Sequence, residues 1–152
     1  TMTGGRLLRA LEHVGDERFL LTYGDGLSNV NLDKLIEKHD RCGATATLTS
    51  VRPAGRFGEL GMDGDLIIGF QEKPEDAPAS INGGFFVIEP GIREVLIDDS
   101  TILEREPLET LAANRQLAAY QHTSFWQCMD TYREQQILES MWNNGDAPWK
   151  IW

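Results

Sequence analysis

The segment that most constrains this chain is Phe19-Leu20-Leu21-Thr22-Tyr23-Gly24-Asp25-Gly26, an apolar run followed by an aspartate between two glycines. The apolar run predicts a buried strand, and the glycines permit a sharp turn and close approach of a ligand. Open α/β sheets bind ligands just beyond the carboxyl ends of their strands. Asp25 is therefore the first candidate for a catalytic or metal-binding residue. The alternative is a turn in which Asp25 only bonds local backbone.

The residues after this strand predict an α/β fold. Asn31 is suited to cap a helix that stops before Gly43, and Ala44 to Val51 predicts a second strand. A strand, a helix of about ten residues and another strand form a βαβ unit, which implies parallel pairing of the two strands.

The middle of the chain predicts antiparallel pairing. A loop over residues 52–58 leads to a short strand around Leu60, the turn Asp63-Gly64 and a second hairpin arm over residues 66–70. A polar loop over residues 75–80 then leads to a strand over residues 83–88. We therefore expect a mixed sheet.

Two segments with the spacing T-x-x-E, Thr101–Glu104 and Thr131–Glu134, each predict a capping box at the start of a helix. The first helix is expected to reach about Asn114, and the second to end at Asn144-Gly145. A short helix over residues 92–97 and a strand over residues 117–121 complete the prediction. The whole is a Rossmann-like α/β fold, in which helices flank a mixed sheet.

Size and charge limit the function classes. With 152 residues, of which 41% are hydrophobic, residues 1–152 are expected to form a single domain. The net charge is −10, from 14 basic and 24 acidic residues, and there is no basic run, so nucleic acid is not an expected partner. A phosphorylated substrate would need a local cation, from Lys, Arg or a metal such as Mg²⁺.

Cysteine and histidine patterns indicate a cytoplasmic protein without structural zinc. Cys42 and Cys128 lack CxxC or Cys/His spacing, and no apolar run approaches the length of a membrane span. The scattered His13, His39 and His122 are expected to be structural. Because no G-x-S-x-G segment occurs, covalent hydrolase chemistry is disfavoured. A membrane is not an expected partner.

Asp25 and Asp130 lie far apart in sequence, but each stands at the boundary of a predicted element. If the fold brings them together, two carboxylates would form a hard-oxygen pair that prefers Mg²⁺. The alternative for Asp130 is a capping or dipole role at the helix that begins at Thr131.

Three further segments carry polar groups suited to a sugar phosphate. In Glu72-Lys73-Pro74, Lys73 could hold a phosphate while Glu72 accepts sugar hydroxyls; the alternative is a solvated ion pair. Asn82-Gly83-Gly84 and Arg56-Phe57-Gly58 combine polar side chains with accessible backbone, although ordinary loops look the same. The aromatic segments Phe125-Trp126 and Trp149–Trp152 are expected to serve packing or subunit contact.

Seven segments occur in the order found in one enzyme family. They are Thr3–Leu7, Tyr23–Gly26, Gly55–Gly58, Phe70–Pro74, Ile81–Val87, Phe125–Thr131 and Ala147–Trp152. The chain closely resembles the glucose-1-phosphate cytidylyltransferases, which are sugar-1-phosphate nucleotidyltransferases. The resemblance implies that Mg²⁺ promotes attack of glucose 1-phosphate on the α-phosphorus of CTP, giving CDP-glucose and pyrophosphate.

The resemblance also implies roles for individual residues. Asp25 and Asp130 would be metal ligands and, together with Lys73, catalytic residues, with Lys73 binding the sugar phosphate. The implied substrate contacts also include Glu72, Asn82, Gly83 and Gly58 at the hexose, and Gly4 and Gly5 beside the nucleotide. Phosphoryl transfer needs aligned reactants and neutralised charge more than covalent help, which agrees with this set.

One part of the family pattern has no match in this sequence. Family members begin with a strand and a glycine-rich loop that bears an Arg and is followed by a Lys, which together cradle the triphosphate. Gly4-Gly5-Arg6-Leu7 is not preceded by a strand, as such a loop requires. We therefore interpret the chain as roughly the carboxyl-terminal half to three-fifths of such an enzyme.

Three expectations follow from this interpretation. The 152 residues alone should have weak or no activity. They should expose a sheet edge and an apolar face, and self-associate as a homo-oligomer. The competing hypothesis is a non-catalytic sugar-phosphate-binding or assembly module, and a phosphatase that uses Asp25 is a third.

Overall fold

The computed structural model describes residues 1–53, 59–63, 66–71 and 80–151, with the backbone alone for residues 59–63 and 66–71. The helices are α1 (Thr3–Val14), α2 (Leu32–Cys42), α3 (Glu106–Ala113) and α4 (Tyr132–Asn144). The strands are β1 (Phe19–Thr22), β2 (Gly26–Ser28), β3 (Ala46–Val51), β4 (Glu59–Asp63), β5 (Leu66–Gln71), β6 (Ile81–Ile88), β7 (Leu117–His122) and β8 (Trp126–Cys128).

A four-stranded mixed sheet forms the centre of the described structure, in the order β1-β6-β3-β7. Strand β6 runs antiparallel to both β1 and β3, while β3 and β7 are parallel. Two antiparallel pairs, β2 with β8 and β4 with β5, lie outside this sheet. The predicted α/β class and mixed sheet are confirmed.

The predicted pairing of the first strand with β3 is wrong, because β6 lies between β1 and β3. Phe86, Val87 and Ile88 of β6 are all buried, so this strand gains most from a central position with cover on both faces. A βαβ pattern fixes the relative direction of its strands but does not prevent a later strand from inserting between them.

Strand β1 is an edge strand in the described sheet, since it pairs there with β6 only. Its residues alternate between half-buried and exposed, and Leu20 is 49% exposed. The prediction of a buried strand is therefore wrong, because one face of β1 is exposed and the other is only half-buried. The unpaired edge agrees with the expected open sheet edge.

Helix α1, which the sequence reasoning missed, packs on the sheet. Leu7 and Leu11 are buried against Phe86 and Ile88 of β6. The spacing of these leucines was the available signal, but adjacent glycines disfavour a helix. A Cβ atom on Gly5 would lie 2.4 Å from the Asp99 carbonyl oxygen, so this glycine allows the close approach of α1 to the loop before α3.

Three other predicted helices can be compared with the structure. Asn31 caps α2 by accepting from the Lys34 backbone N–H, and Gly43 ends that helix in a left-handed conformation. The predicted capping box of α4 is present, and Gly145 ends it. The predicted helix over residues 92–97 is a 3₁₀-helix, Pro90–Val95.

The capping box predicted at Thr101 is wrong. Helix α3 begins at Glu106, and its N-cap residue Arg105 makes no side-chain capping bond. A helix starting just after Thr101 would place Pro107 in its interior, where proline lacks a needed N–H, whereas proline is tolerated in a first turn. Pro107 was therefore the signal for the later start.

The remaining strand predictions are confirmed. Strands β4 and β5 form the predicted hairpin. Residues 54–58, 64–65 and 72–79 lie outside the described residues, so most of the predicted turn at Asp63-Gly64 and of the predicted loops over residues 52–58 and 75–80 stays a prediction. Strands β6 and β7 correspond to the predicted strands over residues 83–88 and 117–121.

Among the described residues, no helix combines the length and apolar character needed to cross a membrane.

Candidate functional site

The fold brings Asp25 and Asp130 to the same place. The Met129 backbone N–H donates to the Asp25 carbonyl oxygen at 2.8 Å, and Gly26 pairs with Cys128 in the β2–β8 ladder. Each aspartate is thus adjacent to a residue bonded across this ladder, and both are exposed. The sequence reasoning missed β2 and β8, because strands of three residues carry too little alternation to recognise.

Glu134 holds the backbone around Asp130. Its carboxylate accepts from the backbone N–H groups of Asp130 and Thr131, each at 2.9 Å, and from the Thr131 hydroxyl at 3.0 Å. The N-cap residue of α4 is Thr131, so the alternative that Asp130 caps this helix is wrong. The Asp130 main chain is held in place while its side chain remains exposed.

The carboxylates of Asp25 and Asp130 are suited to bind a magnesium ion. Within the part of the chain whose side chains are described, neither Asp25 nor Asp130 forms an ion pair. Ligand atoms of Cys128, Asp130 and Glu134 lie within 4.8 Å of one another. Glu134 already accepts several hydrogen bonds, and thiolates suit softer metals. The exposed carboxylates of Asp25 and Asp130, on neighbouring stretches of backbone, are oxygen ligands of the kind that Mg²⁺ prefers.

Asn82 lies on β6 with its side-chain amide held at both ends. Its Oδ1 accepts from the Gly84 backbone N–H at 2.9 Å, and its Nδ2 donates to the Tyr23 hydroxyl at 3.1 Å. A primary amide has two N–H donors and two acceptor lone pairs. Among the residues whose side chains are described, no other group bonds this amide, so one N–H and one lone pair of Asn82 remain there for a ligand hydroxyl.

Tyr23 connects Asn82 to Glu104. The Tyr23 hydroxyl donates to one oxygen of the Glu104 carboxylate, and the Thr3 hydroxyl donates to the other at 2.6 Å. Burial and the bond to Glu104 raise the pKa of Tyr23, so the phenol is neutral at physiological pH. Burial acts to raise the pKa of Glu104, but the hydrogen bonds from Thr3 and Tyr23 outweigh it and lower the pKa below its usual value.

The two glycines after Asn82 are buried in close packing. The Gly83 carbonyl accepts from the Trp126 indole N–H at 2.8 Å, and a Cβ atom on Gly83 would lie 2.8 Å from a methyl group of Val51. Gly84 has a φ of +78° and would place a Cβ atom 3.0 Å from the Tyr23 ring. Packing thus accounts for both glycines, and the hexose contact of Gly83 stays a prediction.

An open cleft of about 680 Å³ lies between α1 and the end of β1. Its lining includes Thr3, Arg6, Tyr23, Asp25 and Glu104, so a guanidinium and the candidate metal ligand share it. Gly5 does not line this cleft but is buried against the loop at Asp99; its place at the nucleotide stays a prediction.

Three predicted site residues, Gly58, Glu72 and Lys73, lie outside the described residues. Strand β5 ends at Gln71, so Glu72 and Lys73 follow it directly in sequence. Their assigned contacts with the hexose and the sugar phosphate stay predictions.

Two of the three histidines are structural, as expected. His39 is buried and its ring bonds the Thr47 hydroxyl at 2.8 Å and Glu89 at 3.1 Å. The ring of His122 lies 3.1 Å from the Ser28 hydroxyl.

The aromatic segment near the end of the sequence also packs as predicted at Trp149, whose ring centroid lies 5.4 Å from that of Phe125.

Solved structures share this fold. A putative glucose-1-phosphate thymidylyltransferase from Bacillus anthracis, in complex with sucrose, matches 89% of this chain and 58% of its own, with a TM-score of 0.63 and 16% identity. HddC from Yersinia pseudotuberculosis matches 90% of this chain and 60% of its own, with a TM-score of 0.62 and 20% identity.

Sequence comparison identifies nearer relatives. The glucose-1-phosphate cytidylyltransferase of Salmonella typhi is 48% identical over all of this chain, and the probable glucose-1-phosphate cytidylyltransferase of Bacillus subtilis is 44% identical. The chain spans 60% of the length of each. Residues 5–143 match the nucleotidyl transferase family, and the chain therefore belongs to that family.

Proposed function

We propose that this chain supplies the sugar-phosphate and metal half of a glucose-1-phosphate cytidylyltransferase. Such an enzyme transfers a cytidylyl group from CTP to glucose 1-phosphate and releases CDP-glucose and pyrophosphate. The observation that carries the proposal is the backbone bond from Met129 to Asp25, which holds Asp25 next to the residue that precedes Asp130. The names of the relatives with 48% and 44% identity supply the sugar phosphate and the base.

Asp25 and Asp130 would hold Mg²⁺, which supplies positive charge to phosphate oxygens when bound. Asn82 would orient the hexose, with help from Glu72, Gly83 and Gly58. Lys73 would pair with the sugar phosphate. The role of these residues is to align the phosphate oxygen of the sugar with the triphosphate, since phosphoryl transfer depends mainly on positioning and charge. Gly5 would lie on the nucleotide side.

The test is binding of glucose 1-phosphate to the purified chain by calorimetry, with Mg²⁺ and with EDTA. We expect binding that requires Mg²⁺ and is weakened at least roughly tenfold by Asp25→Asn or Asp130→Asn, because each removes a ligand charge. Asp16→Asn, which changes an exposed aspartate outside the cleft, is the matched control. With CTP present, we expect little CDP-glucose from this chain alone, since it has no match to the triphosphate loop.

The outcomes separate the hypotheses. If glucose 1-phosphate binds with the same affinity without Mg²⁺ and in both aspartate variants, and no turnover occurs, the result would support the binding or assembly module. Release of orthophosphate from glucose 1-phosphate would instead support a phosphatase. Robust CDP-glucose synthesis by the 152 residues would contradict the interpretation that the triphosphate grip is missing.

Self-association is the second part of the proposal. The edge of β1 has no second partner strand among the described residues, and Leu20 is half exposed there. Unpaired edges and apolar patches promote association between chains. Light scattering should therefore show a homo-oligomer. A compact monomer at high concentration would contradict this expectation.

A further inference from the structure

Four side chains from separate parts of the fold form one chain of hydrogen bonds. Thr3 begins α1, Tyr23 follows β1, Asn82 lies on β6 and Glu104 precedes α3. The Asn82 amide N–H donates to the Tyr23 hydroxyl at 3.1 Å, which donates to Glu104, whose second oxygen accepts from Thr3 at 2.6 Å. These bonds end at Asn82, the candidate hexose-binding residue. Its amide must be oriented correctly to bond a sugar hydroxyl.

The carboxylate of Glu104 sets the direction of these bonds. An ionised carboxylate only accepts, so Thr3 and Tyr23 must both donate to it. The Tyr23 oxygen is then left to accept, and the Asn82 amide must turn its NH₂ group toward it. That rotation also places Asn82 Oδ1 at the Gly84 N–H, where it accepts at 2.9 Å.

We infer that Glu104 is a positioning residue for the sugar site: through Tyr23 it fixes the Asn82 amide so that one N–H and one carbonyl lone pair face the hexose hydroxyls. The inference rests on the proposed function for the identity of the ligand. Its structural part, the orientation of the Asn82 amide, stands independently. Glu104 also lines the cleft that contains Asp25, so the same residue borders both the sugar and the metal positions.

Replacing the carboxylate by an amide of the same shape removes the constraint on direction, because an amide both donates and accepts. In Glu104→Gln, the new amide can donate to the Tyr23 oxygen, and the phenol proton can turn toward Asn82. The Asn82 amide would then have to present its oxygen to Tyr23, and its NH₂ group would face the Gly84 N–H, where two donors meet. Glu104→Asp keeps an acceptor-only group and should preserve the direction.

The first readout is the ¹⁵N NMR signal of the Asn82 side-chain amide, identified by its loss in Asn82→Asp. We expect the signal to move strongly in Glu104→Gln, and to stay near its wild-type position in Glu104→Asp. Glu106→Gln is the matched control, because Glu106 is exposed, close in sequence and does not line the cleft. Far-ultraviolet circular dichroism verifies that each variant is folded.

The second readout is the dissociation constant of glucose 1-phosphate in the presence of Mg²⁺. We expect it to rise roughly tenfold in Glu104→Gln, the equivalent of about one hydrogen bond, and much less in Glu104→Asp. Because Glu104 acts through Tyr23, adding Glu104→Gln to Tyr23→Phe should cause no further loss. A purely structural role would give losses that add in the double variant.

Two results would overturn the inference. One is an unchanged Asn82 amide signal in Glu104→Gln; the other is an additive loss of affinity in the double variant. If the wild-type chain does not bind glucose 1-phosphate, the proposed function fails, while the NMR signal still decides whether Glu104 orients Asn82.

Discussion

The two T-x-x-E segments have the same spacing but different structures. In Thr131–Glu134, the threonine and glutamate bond each other's backbone and start α4. In Thr101–Glu104, the threonine hydroxyl accepts from the backbone N–H groups of Ile97 and Asp98, and the glutamate bonds Thr3 and Tyr23. The Thr131–Glu134 segment forms its capping bonds internally, whereas Glu104 bonds Thr3 of α1 and Tyr23, which follows β1.

A capping pattern therefore shows which groups are able to bond but does not decide which bonds form. Glu134 is 7% exposed and lies within one turn of its partners, so its choice is local. Glu104 has partners 81 and 101 positions away in sequence, which no window of local sequence contains. Substitutions in the two segments test this contrast between local and long-range bonding.

The largest effect is expected from Gly5→Ala, which acts on the long-range segment alone. A Cβ atom there would lie 2.4 Å from the Asp99 carbonyl, so α1 must move and carry Thr3 away from Glu104. We expect unfolding free energy to fall by about 3 kcal/mol in urea titration. Gly24→Ala is the control, since its Cβ meets nothing within 4 Å. Amide-exchange protection in α4 should fall only by the amount that the loss of global stability accounts for. A larger, selective loss of protection in α4 would show that this helix depends on the long-range segment.

The next effect compares the two glutamates directly. Glu134→Gln should cost about 2 kcal/mol, because a buried carboxylate that accepts from Asp130 and Thr131 is replaced by a weaker acceptor. Glu104→Gln should cost less than about 1 kcal/mol, because that side chain is exposed. Both values come from denaturant titration. Equal losses of unfolding free energy in the two variants would contradict the difference between the local and the long-range segment.

A smaller effect is expected at the threonines. Thr131→Ala should cost about 1 kcal/mol and weaken exchange protection in the first turn of α4, whereas Thr131→Ser should keep the cap. Thr101→Ala should cost about 0.5 kcal/mol and leave the first turn of α3 protected as before, because Thr101 does not cap that helix. Loss of protection in α3 would contradict the assigned start at Glu106.

The smallest effect is the pH dependence of Glu104. Its pKa is lower in the folded chain than its usual value, so ionised Glu104 stabilises the fold above the unfolded pKa, and that contribution is lost as pH falls through the folded pKa. The stability difference between the wild type and Glu104→Gln should therefore shrink in acid. The measurement is thermal unfolding of both proteins from neutral to acidic pH. A difference that grows as pH falls would contradict the assigned direction.

Much of the fold could be read from local patterns. Asn31 and Gly43 mark the ends of α2, and the hairpin of β4 and β5 appears where turn residues interrupt two apolar runs. Helix α1 was not predicted despite its leucine spacing, because its two glycines lower helix propensity; in the structure they pack against Thr101 and Asp99 in the loop before α3.

In the candidate site, too, some residues are recognisable from the local sequence, while others gain their position only through tertiary structure. Asp25 stands out in the sequence because it follows an apolar run between glycines, and Asp130 because it precedes a capped helix. Their proximity depends on the short strands β2 and β8, whose pairing joins residues about a hundred positions apart. Glu104 showed no functional signal beyond a capping pattern that it does not use.

The amino-acid sequence alone is enough to predict the elements whose bonds close within a few residues, such as the capped helices α2 and α4 and the β4–β5 hairpin. The position of β6 between β1 and β3, the bond from Met129 to Asp25 beside Asp130, and the bond of Glu104 to Tyr23 rather than to its own helix depend on the tertiary structure. Local bonds require few residues to be ordered. Long-range bonds form only when burial of apolar side chains such as Phe86 and Leu11 compensates the entropy of closing long loops.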